Sequence, residues 1–225
     1  MLPLLRKLGG NIRDKVAQTG PMAVGSPTRS RLYAEIKAQG RDPVLWIRER
    51  MQQQSLYGPA AGSDPADLED TFSNQFSSTI EEANKLLLHE FDLLGSGPYR
   101  PIDPDRPTWS NGHAPIDWSL DPVSGLRFPM HLPHNKWDLY AMRPGMADVK
   151  LPWEIARCQH WATLAQAFRL TGDPRYASEI ANQLYDFMEA NPIGYGVNWT
   201  CTMDVAIRAL NWALALEWIA AAKYC

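Results

Sequence analysis

Apolar residues recur every three to four positions along the last third of the chain, in three segments that short turns separate. The segments run from Trp153 to Thr171, from Pro174 to Ala190, and from about Cys201 to Lys223. A stripe of apolar residues with this period forms one face of an α-helix. We therefore predict three amphipathic helices in this part of the chain.

The turn between the first two predicted helices has residues suited to ending one helix and beginning the next. Gly172 tolerates the left-handed conformation in which helices often end. Asp173 can cap the following helix, and Pro174 fits its first turn, where no backbone N–H is needed. We expect the two helices to form an αα-hairpin, and the third helix to extend the pattern after a loop with two glycines.

Earlier in the chain the helical pattern is shorter and more often interrupted. Residues 31–39 and 42–53 have helical spacing, and residues 55–65 have the composition of a linker. Helical spacing resumes over residues 66–88, with a break expected near residues 73–74. This part of the chain therefore predicts short helices, a linker and one longer helical region.

A long segment between Pro98 and Lys150 shows neither helical nor strand periodicity and is rich in Pro, Asp, Trp and His. Irregular segments of this length are uncommon inside a compact domain unless they contribute to a functional site. We therefore expect this segment to line one.

Composition excludes several classes of protein. Of the 225 residues, 45% are hydrophobic and 21% are charged, which is typical of a globular protein, and the net charge of −3 argues against a general nucleic-acid binder.

No segment predicts a membrane span or a signal peptide, which favours a cytoplasmic protein or a fragment without its export signal. The three cysteines, Cys158, Cys201 and Cys225, have no spacing that indicates a disulfide framework or a zinc site. We predict no metal and no cofactor.

Five sequence blocks then resemble one family in order and spacing, over roughly residues 83 to 222. They are FDLLGSG, IDWSLDPVSG, DVKLPWEIAR, LTGDPRYA and NPIGYGVNWTCTMDVAIRALNW. Together they resemble the N-terminal domain of the heparinase II/III-like polysaccharide lyases. Each block is weak alone, and LTGDPRYA in particular is a common turn between helices.

The resemblance implies an all-α fold, an incomplete (α/α) toroid built of αα-hairpins. We expect residues 1–60 to form a loosely structured arm with short helices and residues 61–225 to form the first part of the toroid. In the family a β-sandwich follows the toroid, and it is a possible partner of this chain. The implied reaction is β-elimination on an anionic polysaccharide that contains uronic acid.

Asn198 is the candidate catalytic residue that the resemblance implies, because it matches the asparagine that holds the uronate carboxylate in the family. Its place just before the third helix suits an anion, since helix N-termini carry partial positive charge. The alternative is that Asn198 only caps the helix.

Two pairs of charged residues are candidates for substrate binding or for structural ion pairs. Glu154 and Arg157 are three apart on the first helix, within a matched block, and form either part of the site or a pair on the helix surface. Asp204 and Arg208 are four apart on the third helix, and a structural ion pair is the favoured interpretation. Arg208 is also a candidate for the substrate groove.

The remaining candidate substrate-binding residues are His160, Lys150, Trp199 and Tyr195. Lys150 would add positive potential, and the two aromatic residues would stack on sugar rings, with core packing as the alternative. A histidine such as His160 is more often a hydrogen-bonded core residue than a catalyst.

The family's catalytic tyrosine and its partner histidine match no residue of this chain, which predicts a fragment of a longer enzyme or a shortened protein without its acid and base. The alternative functions are therefore a non-catalytic acidic-glycan-binding or assembly module, and a helical-repeat scaffold.

Overall fold

A computed structural model of the protein describes residues 34–43, 45–46, 49, 65–140 and 143–221, with the backbone alone at 65–74 and 221. The chain divides into two compact units between Ala61 and Gly62. The described protein is mostly helical with few strands, as predicted. None of the described helices is long and apolar enough to cross a membrane.

The first unit contains the ends of two predicted helices. Residues 34–38 are helical and the turn after them ends at Gly40, which has a φ of 72°. Asp42 accepts a hydrogen bond from the backbone N–H of Leu45 at 3.0 Å, as an N-cap does. Residues 43, 45, 46 and 49 are also helical, and the rest of these two predicted helices and residues 55–64 of the predicted linker lie outside the described residues.

The second unit begins with α1, Pro65–Leu87, which is continuous. The break predicted near residues 73–74 is wrong, because one or two weak helix formers rarely interrupt a long amphipathic segment. Helix α1 ends where His89 adopts a φ of 55°, and Ala83 and Leu86 are buried on its inner face.

The segment after α1 is largely irregular, as predicted. Its regular part is a small antiparallel hairpin of β1, Leu120–Asp121, and β2, Leu126–Arg127, in which Leu120 pairs with Arg127. Asp121 fixes the hairpin turn by accepting hydrogen bonds from Val123 N and Ser124 Oγ at 2.9 and 2.7 Å. The same carboxylate accepts from the backbone N–H of Asp148 at 2.9 Å, so it also ties the hairpin to the start of the next helix.

The single helix predicted from Trp153 to Thr171 is wrong, because the chain breaks it into α2, Lys150–Ala156, and α3, His160–Thr171. The break lies at Cys158, which is buried with a φ of 56°. A helix end inside a protein leaves carbonyl groups that need other donors. Later side chains supply them, since Arg208 donates to the carbonyl of Ala156 at 3.3 Å and Asn211 to that of Arg157 at 2.8 Å.

The other two predicted helices are confirmed. Gly172 has a φ of 72°, and Asp173 accepts from the backbone N–H of Arg175 at 2.9 Å at the start of α4, Pro174–Ala190. Helix α5 spans Thr202–Ala221. Helix α3 packs against α1, α4 and α5, so it lies at the centre of the unit.

Candidate functional site

The loop before α5 is joined to the irregular segment by backbone hydrogen bonds. His134 N donates to Gly194 O at 2.7 Å, and Gly196 N donates to Leu132 O at 2.8 Å. Gly196 has a φ of 78°, and a Cβ atom there would lie 2.7 Å from Met130 Cε. The position therefore needs glycine for both its conformation and its space.

Asn198 lies in a short 3-10 turn, Val197–Trp199, that follows this loop, and it is only 1% exposed. Its Nδ2 donates to Trp118 O and to Asn191 Oδ1, both at 2.8 Å, so both amide hydrogens are used within the protein. Its Oδ1 is buried and has no hydrogen-bond partner among the described residues. The side chain therefore bonds to Trp118 and Asn191 rather than serving as a cap on α5.

Arg208 is 2% exposed and its guanidinium lies over two neighbouring aromatic rings, 4.6 Å from the centroid of Phe187 and 4.9 Å from that of Trp199. It donates to Ala156 O and, at 3.0 Å, to Asn198 O. Burial lowers the pKa of Arg208. Its hydrogen bonds thus join the end of α2 to the turn that carries Asn198.

The favoured Asp204–Arg208 ion pair is wrong, because Asp204 pairs with Arg157 instead. Arg157 Nε lies 2.5 Å from Asp204 Oδ1, and Arg157 Nη1 donates to Glu154 Oε2. Asp204 is buried, and the side chains of Arg157 and Glu154 are 19% and 14% exposed. Arg157 therefore lies between two acids, Glu154 and Asp204, and this group of three side chains joins α2 to α5.

Of the remaining candidates, only Trp199 contacts Arg208 in the part of the chain that the structure describes, and it follows Asn198 directly in the chain. Tyr195, Lys150 and His160 make other contacts or are exposed. Trp199 Nε1 donates to Asn191 O at 3.4 Å, and Tyr195 lies half-buried in the preceding loop. Lys150 is exposed at the start of α2. His160 faces α4, where its Nε2 lies 2.7 Å from Gln183 Oε1, and burial lowers its pKa to about 4.

A second cluster was missed by sequence reasoning: His89, His113 and Glu179, all buried. The Nε2 of His89 lies 2.7 Å from Glu179 Oε1, and His113 Nδ1 lies 3.6 Å from Glu179 Oε2. Burial alone would raise the pKa of Glu179, but the two histidines lower it to about 2. These residues are far apart in sequence and follow no ligand motif, so spacing gave no signal.

The three residues line a cavity of about 300 Å³ together with Arg100, Asn111 and Asn182. The cavity lies where the end of α1, the irregular segment and α4 meet. Its walls are mainly polar, and two of its lining residues are joined to each other, since Asn111 Nδ2 donates to Asn182 Oδ1 at 3.0 Å. The second unit thus contains two separate clusters of polar side chains that could bind a ligand, one around Asn198 and Arg208 and one of His89, His113 and Glu179.

The family model described as Heparinase II/III N-terminus matches residues 46–222, which is most of the chain. The chain therefore belongs to this family, as the five sequence blocks predicted, and the family is one of polysaccharide lyases. A comparison with curated proteins found no match. A comparison with solved structures found none either.

Proposed function

We propose that the chain is the N-terminal part of a polysaccharide lyase that cleaves an anionic, uronate-containing polysaccharide by β-elimination. The observation that carries this proposal is the position of Asn198. It lies within the family match, in a turn held by hydrogen bonds on three sides, just before the first turn of α5.

The chemistry requires such a residue. A base removes the proton at C5 of the uronate, the C4–O4 bond breaks, a C4–C5 double bond forms, and the leaving oxygen takes up a proton. Negative charge accumulates on the uronate carboxylate as the C5 proton leaves, so donors fixed beside that carboxylate stabilise the transition state. We propose that Asn198 turns one of its two amide hydrogens from Asn191 or Trp118 to the substrate carboxylate.

The other candidate residues take different roles in this proposal. Lys150, exposed at the start of α2, and Tyr195, half-buried in the loop, contact the polysaccharide. Arg208 and Trp199 are positioning residues, because Arg208 is buried and bonds to the main chain of Asn198 while Trp199 stacks on it. Arg157 and Glu154 hold α2 to α5 through Asp204, and His160 supports α3 against α4. The acid and base are not assigned to residues of this chain.

The test begins with the intact mass of the gene product from its source cells, which shows whether the translated chain extends beyond 25.4 kDa. That product is then incubated with uronate polysaccharides, and the ultraviolet absorbance of the unsaturated uronate is followed. We expect Asn198→Ala to abolish turnover, and Asn135→Ala, at an exposed asparagine in the 3-10 turn His134–Lys136, to leave it unchanged. Turnover by Asn198→Ala at the wild-type rate would remove Asn198 from the site.

The second candidate function is a non-catalytic module that binds acidic glycans or serves in assembly. The observation that favours it is that both amide hydrogens of Asn198 are already bonded within the protein. Glycan binding without any rise in ultraviolet absorbance would support this function over the lyase.

A further inference from the structure

We infer that His89, His113 and Glu179 form a binding site for a divalent transition-metal ion, of which Zn²⁺ is the best match. The site is separate from Asn198 and does not depend on the proposed lyase activity. It joins three parts of the second unit, since His89 follows α1, His113 lies in the irregular segment and Glu179 lies in α4.

The ligand atoms are already close to the arrangement that a metal needs. One atom from each residue lies within 4.8 Å of the other two. Around a tetrahedral ion with bonds of about 2.0 to 2.2 Å, ligand atoms lie about 3.3 Å apart. The distance from His89 Nε2 to Glu179 Oε1 is 2.7 Å and that from His113 Nδ1 to Glu179 Oε2 is 3.6 Å, so each histidine lies near that separation from one oxygen of the carboxylate.

His113 provides an independent indication of a ligand. Its side chain is fully buried, and each ring nitrogen lies 3.6 Å from a carboxylate oxygen, Nδ1 from Glu179 Oε2 and Nε2 from Asp186 Oδ2, just beyond hydrogen-bond distance. Buried polar nitrogens normally have a closer partner, and a bound ion is one kind of partner that completes such a site. A metal on Nδ1 would supply the missing partner on the side that faces Glu179.

The surrounding groups are arranged to orient these ligands. The Nε2 of His113 lies 3.6 Å from Asp186 Oδ2, where it can direct a proton to the carboxylate while Nδ1 remains unprotonated for a metal. Asp186 is itself fixed by the backbone N–H of Ile116 and by Trp118 Nε1. Gln183 Nε2 donates to Glu179 Oε1 at 2.8 Å.

The ligand chemistry and the cavity select the kind of ion. Two imidazoles and one carboxylate suit zinc and related transition metals, whereas magnesium and calcium prefer oxygen ligands alone. Three protein ligands leave a fourth position on the ion, and all three residues line the cavity of about 300 Å³ together with Asn111 and Asn182. A water molecule or an amide oxygen can occupy that fourth position.

The test uses the 225-residue chain after treatment with a chelator and dialysis, with ZnCl₂ as the titrant in calorimetry. We expect one zinc ion per chain and a rise in melting temperature, since a ligand that binds the folded state stabilises it. Glu179→Gln, which keeps the shape of the side chain, should weaken binding by at least about tenfold. His89→Asn is a second variant, because asparagine tolerates the positive φ at this position.

The matched control is the double variant His131→Asn/His134→Asn, which removes two exposed histidines outside the cluster and should bind zinc as the wild type does. Co²⁺ substitution of the wild type provides a readout that needs no variant. Intense visible bands without a thiolate charge-transfer band would indicate a four-coordinate site of nitrogen and oxygen ligands.

Folded wild-type protein that does not bind zinc would overturn the inference. So would zinc binding that Glu179→Gln leaves unchanged, or a Co²⁺ spectrum with a thiolate band, because the ion would then lie at another site. These results test metal binding only. The lyase proposal is tested separately, by the ultraviolet absorbance of the unsaturated uronate.

Discussion

Arg208 donates a hydrogen bond from Nη2 to the main-chain oxygen of Asn198, 3.0 Å away, while its guanidinium lies over the rings of Phe187 and Trp199. The same side chain reaches Ala156 O at the end of α2. One buried arginine thus links two helices to the turn that holds the candidate catalytic residue, which makes the turn's position depend on α5.

Replacing Arg208 should therefore destabilise the protein. Arg208→Met removes the donors for two buried carbonyl groups and should lower the free energy of unfolding by about 2 to 4 kcal/mol. Urea denaturation measures this change. Arg175→Met is the matched control, because the Arg175 side chain is 69% exposed and its substitution should change stability much less. Equal effects of the two substitutions would contradict the linking role of Arg208.

Gly196 should tolerate no side chain. Gly196→Ala strains a residue with a φ of 78° and places a methyl group 2.7 Å from Met130 Cε, so we expect a loss of about 2 to 4 kcal/mol. Gly125→Ala has a similar φ of 71° but meets nothing within 4 Å, and should lose only about 1 to 2 kcal/mol. The difference in unfolding midpoint between the two variants measures the contact with Met130 together with the backbone strain at Gly196, whose ψ of 174° is rare in residues other than glycine. If they lose the same stability, Met130 moves aside freely and does not hold the loop.

The sequence was sufficient to predict the family and the two helices α4 and α5, and insufficient where distant residues decide the structure. Gly172 and Asp173 marked the turn between α3 and α4 because a left-handed residue and an N-cap are local requirements. The break at Cys158 has no such local signal, since the carbonyl groups at the end of α2 are satisfied by side chains of α5. Helical periodicity continues through the break and therefore predicted one helix.

The same limit applies to the charged residues. A spacing of four on a helix indicated an Asp204–Arg208 pair, but Asp204 faces α2 and bonds to Arg157. Helical spacing shows which residues share a face, and only the packing of α2 against α5 shows what that face meets. The cluster of His89, His113 and Glu179 escaped prediction for the same reason.

His160 should make stability depend on pH. Its pKa falls to about 4 in the folded protein because the ring is buried, whereas an unfolded histidine has a pKa of about 6.5. The unfolded chain therefore binds more protons between these values, so stability is lost as pH falls from about 6.5 to about 4.

The expected contribution of His160 is a loss of about 2 kcal/mol between pH 7 and pH 5. Urea denaturation of the wild type and His160→Gln at both pH values measures it. The wild type should lose more stability than the variant by about this amount, and identical pH dependence of the two proteins would show that His160 titrates normally.

Arg157 and Asp204 should be strongly coupled. The Asp204 side chain is 1% exposed, so Arg157→Met leaves a buried carboxylate without its partner and should cost about 3 to 5 kcal/mol. In the double variant Arg157→Met/Asp204→Asn the fully buried carboxylate is also removed, while Glu154, 14% exposed, loses Arg157 in the single and the double variant alike. The loss of stability in the double variant should therefore be smaller than the sum of the two single losses, and urea denaturation of all four proteins gives this coupling energy.

Lys85 offers the control, since it lies 3.7 Å from Glu81 with side chains that are 45% and 75% exposed. Lys85→Met should change stability by less than about 0.5 kcal/mol, because water screens an exposed pair. Strictly additive losses at Arg157 and Asp204 would mean that water reaches this pair as well. Strong coupling would instead show that the ion pair holds α2 against α5, and so fixes the helix end to which Arg208 and Asn211 are bonded.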